Sequence, residues 1–249
     1  MLSLVALYAT LLLCAAGIGA LVYRYDLYDK EPPRPLALAV VLGAASIWIA
    51  GRVQGVLIDI TVDVAHEAAG NTMWALFAGV SEEVGKIAAV FVVLLVFPRH
   101  FNDPLDGLIY GSFAGMGAAL EESVFFVGFN DGSPFLPGQE PVRLAGHLIM
   151  GGIGGFGLGL RAMRHPRWRL AAAASFAGAA LLHTLWDVVA FGAADEYDLR
   201  GRVSAWRTAA GVVLMLLGMV AFRWMVSRGA ALSKRVFDTR PEAPPGEPA

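Results

Sequence analysis

Apolar residues in this chain run in long blocks, separated by short polar connections, rather than alternating on a helical or strand period. Seven blocks approach or exceed the roughly 20 apolar residues that cross a bilayer core. They are 3–23, 36–58, 72–97, 104–129, 142–161, 170–193 and 204–226. Backbone polar groups in lipid must be satisfied within the segment, so each block is expected to be a helix. The pattern therefore predicts an all-α, polytopic membrane helical bundle of about seven transmembrane helices. One transmembrane domain covers 1–231, with the lipid bilayer as its surroundings. The first block lacks a basic n-region and an A-x-A-like site, so it is expected to be a retained span and not a signal peptide. Residues 232–249, which end in a Pro- and Glu-rich stretch, are expected to form a disordered cytoplasmic tail. Residues 52–71 mix Asp59, Asp63, His66 and Glu67 with aliphatics, which suits an interfacial amphipathic helix.

Lys and Arg set the orientation. With the N-terminus outside, thirteen cations fall on the inner side and five on the outer, while Lys86 lies within a span. The bias predicts an N-out/C-in arrangement. Trp74 and Trp206 then lie near the outer interface, and Trp168 and Trp224 near the inner one.

Composition narrows the class further. Of the 249 residues, 57% are hydrophobic and 16% charged, against about 25% charged in soluble domains. Net charge is −2, so no basic domain points to nucleic acid. Cys14 is the single cysteine, which excludes a disulfide framework and a thiolate zinc site.

The charges inside the apolar blocks are the informative exceptions. The third block holds Glu82, Glu83 and Lys86. Each charge at mid-helix costs about 2.5–3.5 kcal/mol on insertion scales, while a good apolar residue returns about 0.3–0.6 kcal/mol. Lys86 can pair with either glutamate, at i+4 or i+3, but a carboxylate is left over. The fourth block holds Glu121 and Glu122, whose directions differ by about 100°, so only one faces the bundle interior. Asp103-Pro104-Leu105-Asp106 at its start reads as a helix cap. The fifth block holds His147, followed by Gly151, Gly155 and Gly159, a stripe that admits a close neighbouring helix. The sixth holds His183 and Asp187 on one face, so Asp187 is expected to support the histidine. Counted from the outer ends of the blocks, Glu82, Glu122, His147 and His183 lie ten, seven, five and ten residues deep. These depths are about 7–15 Å, so four consecutive helices can share one site in the outer half of the bilayer.

Two imidazoles and two or three carboxylates suit a divalent transition metal, with Zn2+ the leading candidate. They would equally serve a metal-free route, in which a buried glutamate takes a proton from water and a histidine stabilises the oxyanion. Either route is hydrolysis within a membrane. Other hydrolytic signatures are missing: His66-Glu67 is not followed by the second histidine of H-E-x-x-H, no G-x-G-D occurs, and no serine has nucleophile-elbow spacing. The competing class is an ion- or proton-coupled transporter using the same buried groups. Against it, the sequence shows no internal repeat or paired broken helices. A third class, a non-catalytic scaffold with the same fold, would be expected to have lost one of Glu82, Glu83, His147 or His183, and all are present.

Several of these segments, in order, resemble the PrsW family of intramembrane proteases. Glu82-Glu83-Val-Gly-Lys86 is similar to its E-E-x-x-K signature, and Tyr28-Asp29-Lys30-Glu31-Pro32 to its juxtamembrane stretch. Asp103 to Gly111, Glu122-Ser123, Arg143 with His147, and His183-Thr-Leu-Trp186-Asp187 complete a resemblance over about 20–195. Ala118 replaces the phenylalanine that usually precedes the second glutamate motif. The resemblance implies a multi-pass protease of the bacterial cell (plasma) membrane, distantly related to CAAX-prenyl and bacteriocin-processing proteases. It implies a membrane-anchored protein substrate, such as an anti-sigma factor, cleaved near the outer face. Carried over residue by residue, Glu82 and Glu83 are the catalytic pair, and Glu122, His147 and His183 complete the site, with Lys86 and Asp187 in support. Glu122, His147 and His183 are the set expected to hold any zinc.

Overall fold

The computed structural model describes residues 2–24, 30–61, 67–127, 139–195 and 205–238. Among them the chain is all-helical, with seven long helices. They are α1 (Leu2–Tyr23), α2 (Pro33–Thr61), α3 (Glu67–Val96), α4 (Asp106–Val127), α5 (Gln139–Ala162), α6 (Trp168–Asp195) and α7 (Ala205–Asp238). A short 3-10 turn, Pro98–His100, links α3 to α4. Four helices contain stretches long and apolar enough to cross a membrane: Val5–Tyr23, Pro33–Leu57, Trp168–Ala190 and Trp206–Arg235. They leave large apolar side chains such as Leu13, Val41, Leu181 and Val220 on the outside. The remaining three, α3 to α5, carry most of the buried charges and most of the glycine contacts, and α4 and α5 form the centre of the molecule.

Glycine explains how α4 and α5 come so close. Gly107, Gly111 and Gly115 recur every four residues on α4, and Gly151, Gly155 and Gly159 do so on α5. A Cβ on Gly111 would run into the backbone of Gly151, one on Gly115 into that of His147, and one on Gly159 into that of Pro104. The stripe expected on α5 therefore has a matching stripe on α4, and the two backbones touch directly. On its other side α4 meets α2 in the same manner, with Gly43 against Ala114 and Gly117 against Val40.

The start of α4 is a reciprocal cap. Asp103 Oδ1 accepts the Leu105 N–H at 2.7 Å, and Asp106 Oδ2 accepts the N–H groups of Asn102 and Asp103 at 2.6 and 2.7 Å. These bonds satisfy donors that helix geometry leaves open, in the manner of a capping box. Beside the cap, Tyr110 donates a hydrogen bond to the buried Glu31 carboxylate.

Two expectations need correction. Residues 52–61 continue α2 and 67–71 begin α3, so the described part of 52–71 is not a separate interfacial helix. Asp63 and His66 lie outside the described residues. The expected disordered tail is helical from 232 through Asp238. Its polar composition hides one buried contact: Ser233 Oγ donates to Asp103 Oδ1 at 2.5 Å and to Gly229 O at 3.0 Å. Residues 239–249, including Arg240, lie outside the described residues, as do Tyr28, Asp29 and the 128–138 connection.

Candidate active site

Small residues bring α3 against α6 beside the charged patch. A Cβ on Gly79 would collide with Thr184, the residue after His183, and one on Gly85 with Ser46 of α2. This close approach places the α3 glutamates on the His183 ring. His183 Nδ1 lies 2.9 Å from Glu83 Oε1. Its Nε2 lies 3.6 Å from Glu82 Oε2 and 3.7 Å from Asp187 Oδ2.

Lys86 pairs with Glu83, not Glu82, donating to the same Oε1 at 2.6 Å. Both partners are 0% exposed. Paired with an ammonium, Glu83 is an acceptor-only group, so the 2.9 Å contact puts the ring hydrogen of His183 on Nδ1. Nε2 then faces Glu82 and Asp187. Buried ion pairs are costly unless every partner is satisfied. Here Glu83 Oε1 serves two donors and orients a histidine, while Glu83 Oε2 is buried without a hydrogen-bond partner.

His147 and His183 meet edge to face, with ring centroids 5.0 Å apart. His147 Nε2 lies 2.9 Å from Glu122 Oε2. Arg143, one turn earlier on α5, brings Nε to 3.8 Å from Glu122 Oε1 and donates from Nη1 to Glu140 Oε1 at 2.8 Å. Ser123 Oγ donates to Glu140 Oε2 at 2.5 Å. Glu121, on the adjacent direction of α4, makes no ion pair with either histidine. Sequence reasoning missed Glu140. It sits at the polar edge of its block and reads as solvated, although it is buried. The available signal was its i,i+3 spacing from Arg143.

One ligand atom each from Glu82, His147 and His183 lies within 4.8 Å of the other two, and all three residues are buried. This grouping contains Glu82 where the sequence expectation has Glu122, which instead flanks His147. Asp187 lies farther from the His183 ring than Glu83 does, so the nearer support comes from α3. Two histidines with one glutamate is a known donor set for catalytic zinc, which leaves one coordination position open. Glu82 Oε2 and His147 Nδ1 are buried without a hydrogen-bond partner. Orphaned buried polar atoms are rare in native proteins. Both observations fit a metal held among these side chains.

A family model described as "PrsW family intramembrane metalloprotease" matches residues 31–225. The Protease PrsW of Bacillus subtilis (strain 168) is 29% identical over 151 residues, which cover 58% of this chain and 65% of that relative. The match thus spans a little under two thirds of the relative's length. No solved structure gives a significant match.

Proposed function

The chain belongs to the PrsW family of intramembrane metalloproteases, and from that premise we propose that it is a membrane-embedded endopeptidase. Its substrate is a membrane-anchored protein, of which an anti-sigma factor is the type the family resemblance suggests. The cleaved bond lies near the outer membrane face. The chain crosses a bacterial cell membrane seven times, N-out and C-in. The arginine and lysine asymmetry supports that orientation, and the position of the Glu/His cluster along its helices supports the outward site.

In this reading Glu82, His147 and His183 hold a zinc ion. Bound zinc lowers the pKa of water to about 7 and polarises a carbonyl. Glu122 is the general base: it takes a proton from the attacking water and returns it to the leaving amine. Arg143 holds Glu122 in place, and Glu140, itself held by Ser123, holds Arg143. Glu83 fixes the ring of His183 so that Nε2 faces the cluster, and Lys86 holds Glu83. The surrounding low-polarity bundle excludes bulk water, which strengthens each of these electrostatic contacts. Glu83 is therefore a positioning residue, although the sequence comparison with the family pairs it with Glu82.

The observation that carries the proposal is the convergence of Glu82, His147 and His183, from three helices, to within 4.8 Å. The test is zinc analysis together with a cleavage assay on purified Glu82→Gln, His147→Ala and His183→Ala, each checked for membrane level. Loss of both zinc and cleavage is expected in every variant. Parental cleavage by any one of them overturns the assignment. For orientation, a reporter after Arg240 should read cytoplasmic and one near Gly132 extracytoplasmic, and the reverse pair of readings would move the site to the inner face.

A further inference from the structure

At the opposite end of the bundle from the Glu/His cluster, a cavity of about 640 Å³ opens between the end of α3 and the α5–α6 connection. Leu94, which lines it, is twelve residues beyond Glu82 on α3, or about 18 Å along the helix axis. Its lining combines apolar Leu94, Leu95, Pro98 and Phe101 from the end of α3 and the turn after it with Arg161, Arg164, His165 and Trp168 from the α5–α6 connection. Leu95 is 61% exposed on the outer surface of α3. From 161 to 169 the sequence contains four arginines and no acidic residue. Neither Arg161 nor Arg164 has an ion pair among the described residues. Arg161 instead lies over the rings of Phe91 and Trp168, at 5.9 and 5.8 Å, while Arg169 covers Trp168 at 5.5 Å.

The backbone adds an independent observation. Arg164 has φ = 52°, in the left-handed region where glycine is usual. Arg164 N–H donates to Arg161 O at 2.9 Å, and His165 N–H to Leu160 O at 3.1 Å. These are the two bonds of a Schellman cap, with Arg164 at the position glycine normally takes. A local rule is broken so that a cation stands at the cavity, and an outlier of this kind points to a function for the side chain.

We propose that this cavity binds the headgroup of an anionic phospholipid. The two arginines take the phosphate, a geometry guanidinium suits. Leu94 and Leu95 meet the first methylenes of the acyl chains, and Trp168 lies at headgroup level. A soluble phosphate would use the arginines but gain nothing from the apolar lining, so the lipid is the better occupant. Basic pockets between membrane helices have this chemistry. The inference does not depend on the protease reading.

The test is native mass spectrometry of the full chain in detergent, titrated with phosphatidylglycerol, phosphatidylcholine or inorganic phosphate. Phosphatidylglycerol should bind at least about tenfold more tightly than phosphatidylcholine, and equimolar inorganic phosphate should not displace it. Arg161→Gln and Arg164→Gly should each weaken it about tenfold, and Arg228→Gln, on the exposed face of α7, should not. Arg164→Gly keeps the question independent of folding, because glycine suits the cap and the variant should melt no lower than the parent. Equal binding of the two lipids, displacement by phosphate, or unchanged affinity in both cavity variants overturns the proposal.

Discussion

Replacing Lys86 by methionine tests the most buried ion pair among the described residues. Methionine nearly matches the length of lysine, so packing is largely kept and the charge is the main loss. Glu83 would then be a fully buried carboxylate with His183 Nδ1, at 2.9 Å, as its remaining contact. Removing one partner of a buried pair costs about 3–5 kcal/mol. The His183 contact should keep the value near the lower end. For a chain of this size about 1 kcal/mol shifts Tm by roughly 2–4 °C, so at about 3 kcal/mol Lys86→Met should melt about 6–12 °C lower. Glu83→Gln removes the stranded charge yet still offers an oxygen to His183. The double variant Lys86→Met/Glu83→Gln should therefore recover most of the loss, with a coupling of at least about 2 kcal/mol. Its cleavage should still lie about 10–100-fold below the parent, because the histidine has lost its carboxylate support. Thermal melting of purified protein in detergent separates the two effects when run beside a cleavage assay. A Lys86→Met melt within 2 °C of the parent, or a double variant no more stable than the single, would refute this account of the pair.

The two glutamates of α4 should separate cleanly in a cleavage assay. Glu122→Gln should fall by at least about 100-fold and Glu121→Gln should stay near parental; the reverse result would mean that α4 is rotated by one residue. Gly151→Ala should lower stability by about 1–3 kcal/mol, read from melting, since its Cβ meets the Gly111 backbone. An unchanged melt there would mean that the α4–α5 backbones are farther apart than described.

Much of the site was legible because charge in an apolar block has no cheap explanation. Glu82, Glu83, Lys86, His147 and His183 stood out for that reason, and the structure gathers all five. The 100° step between Glu121 and Glu122 anticipated that they would differ. What sequence could not reach was the rotation of each helix about its axis. Whether Glu82 or Glu122 joins the two histidines depends on how α3 seats on α6 at Gly79 and how α4 seats on α5 at Gly115. The same limit applies to Lys86, whose i+3 and i+4 options are equal on paper. It also applies to the α4 glycines, whose spacing is visible but whose partner is not. Ser233 escaped notice because one buried hydroxyl is invisible against a polar composition.

The direct meeting of the α4 and α5 backbones also bears on heat resistance. An interface built from interdigitating side chains can loosen by degrees, as rotamers are released one after another. Where Gly115 rests on the His147 carbonyl there are no such rotamers to release. The pair can only hold or part, so His147 and Glu122 keep their spacing until the two helices separate. Warming should thus leave the spacing of these two groups nearly constant up to the melting temperature, and activity should then vanish in a single cooperative step.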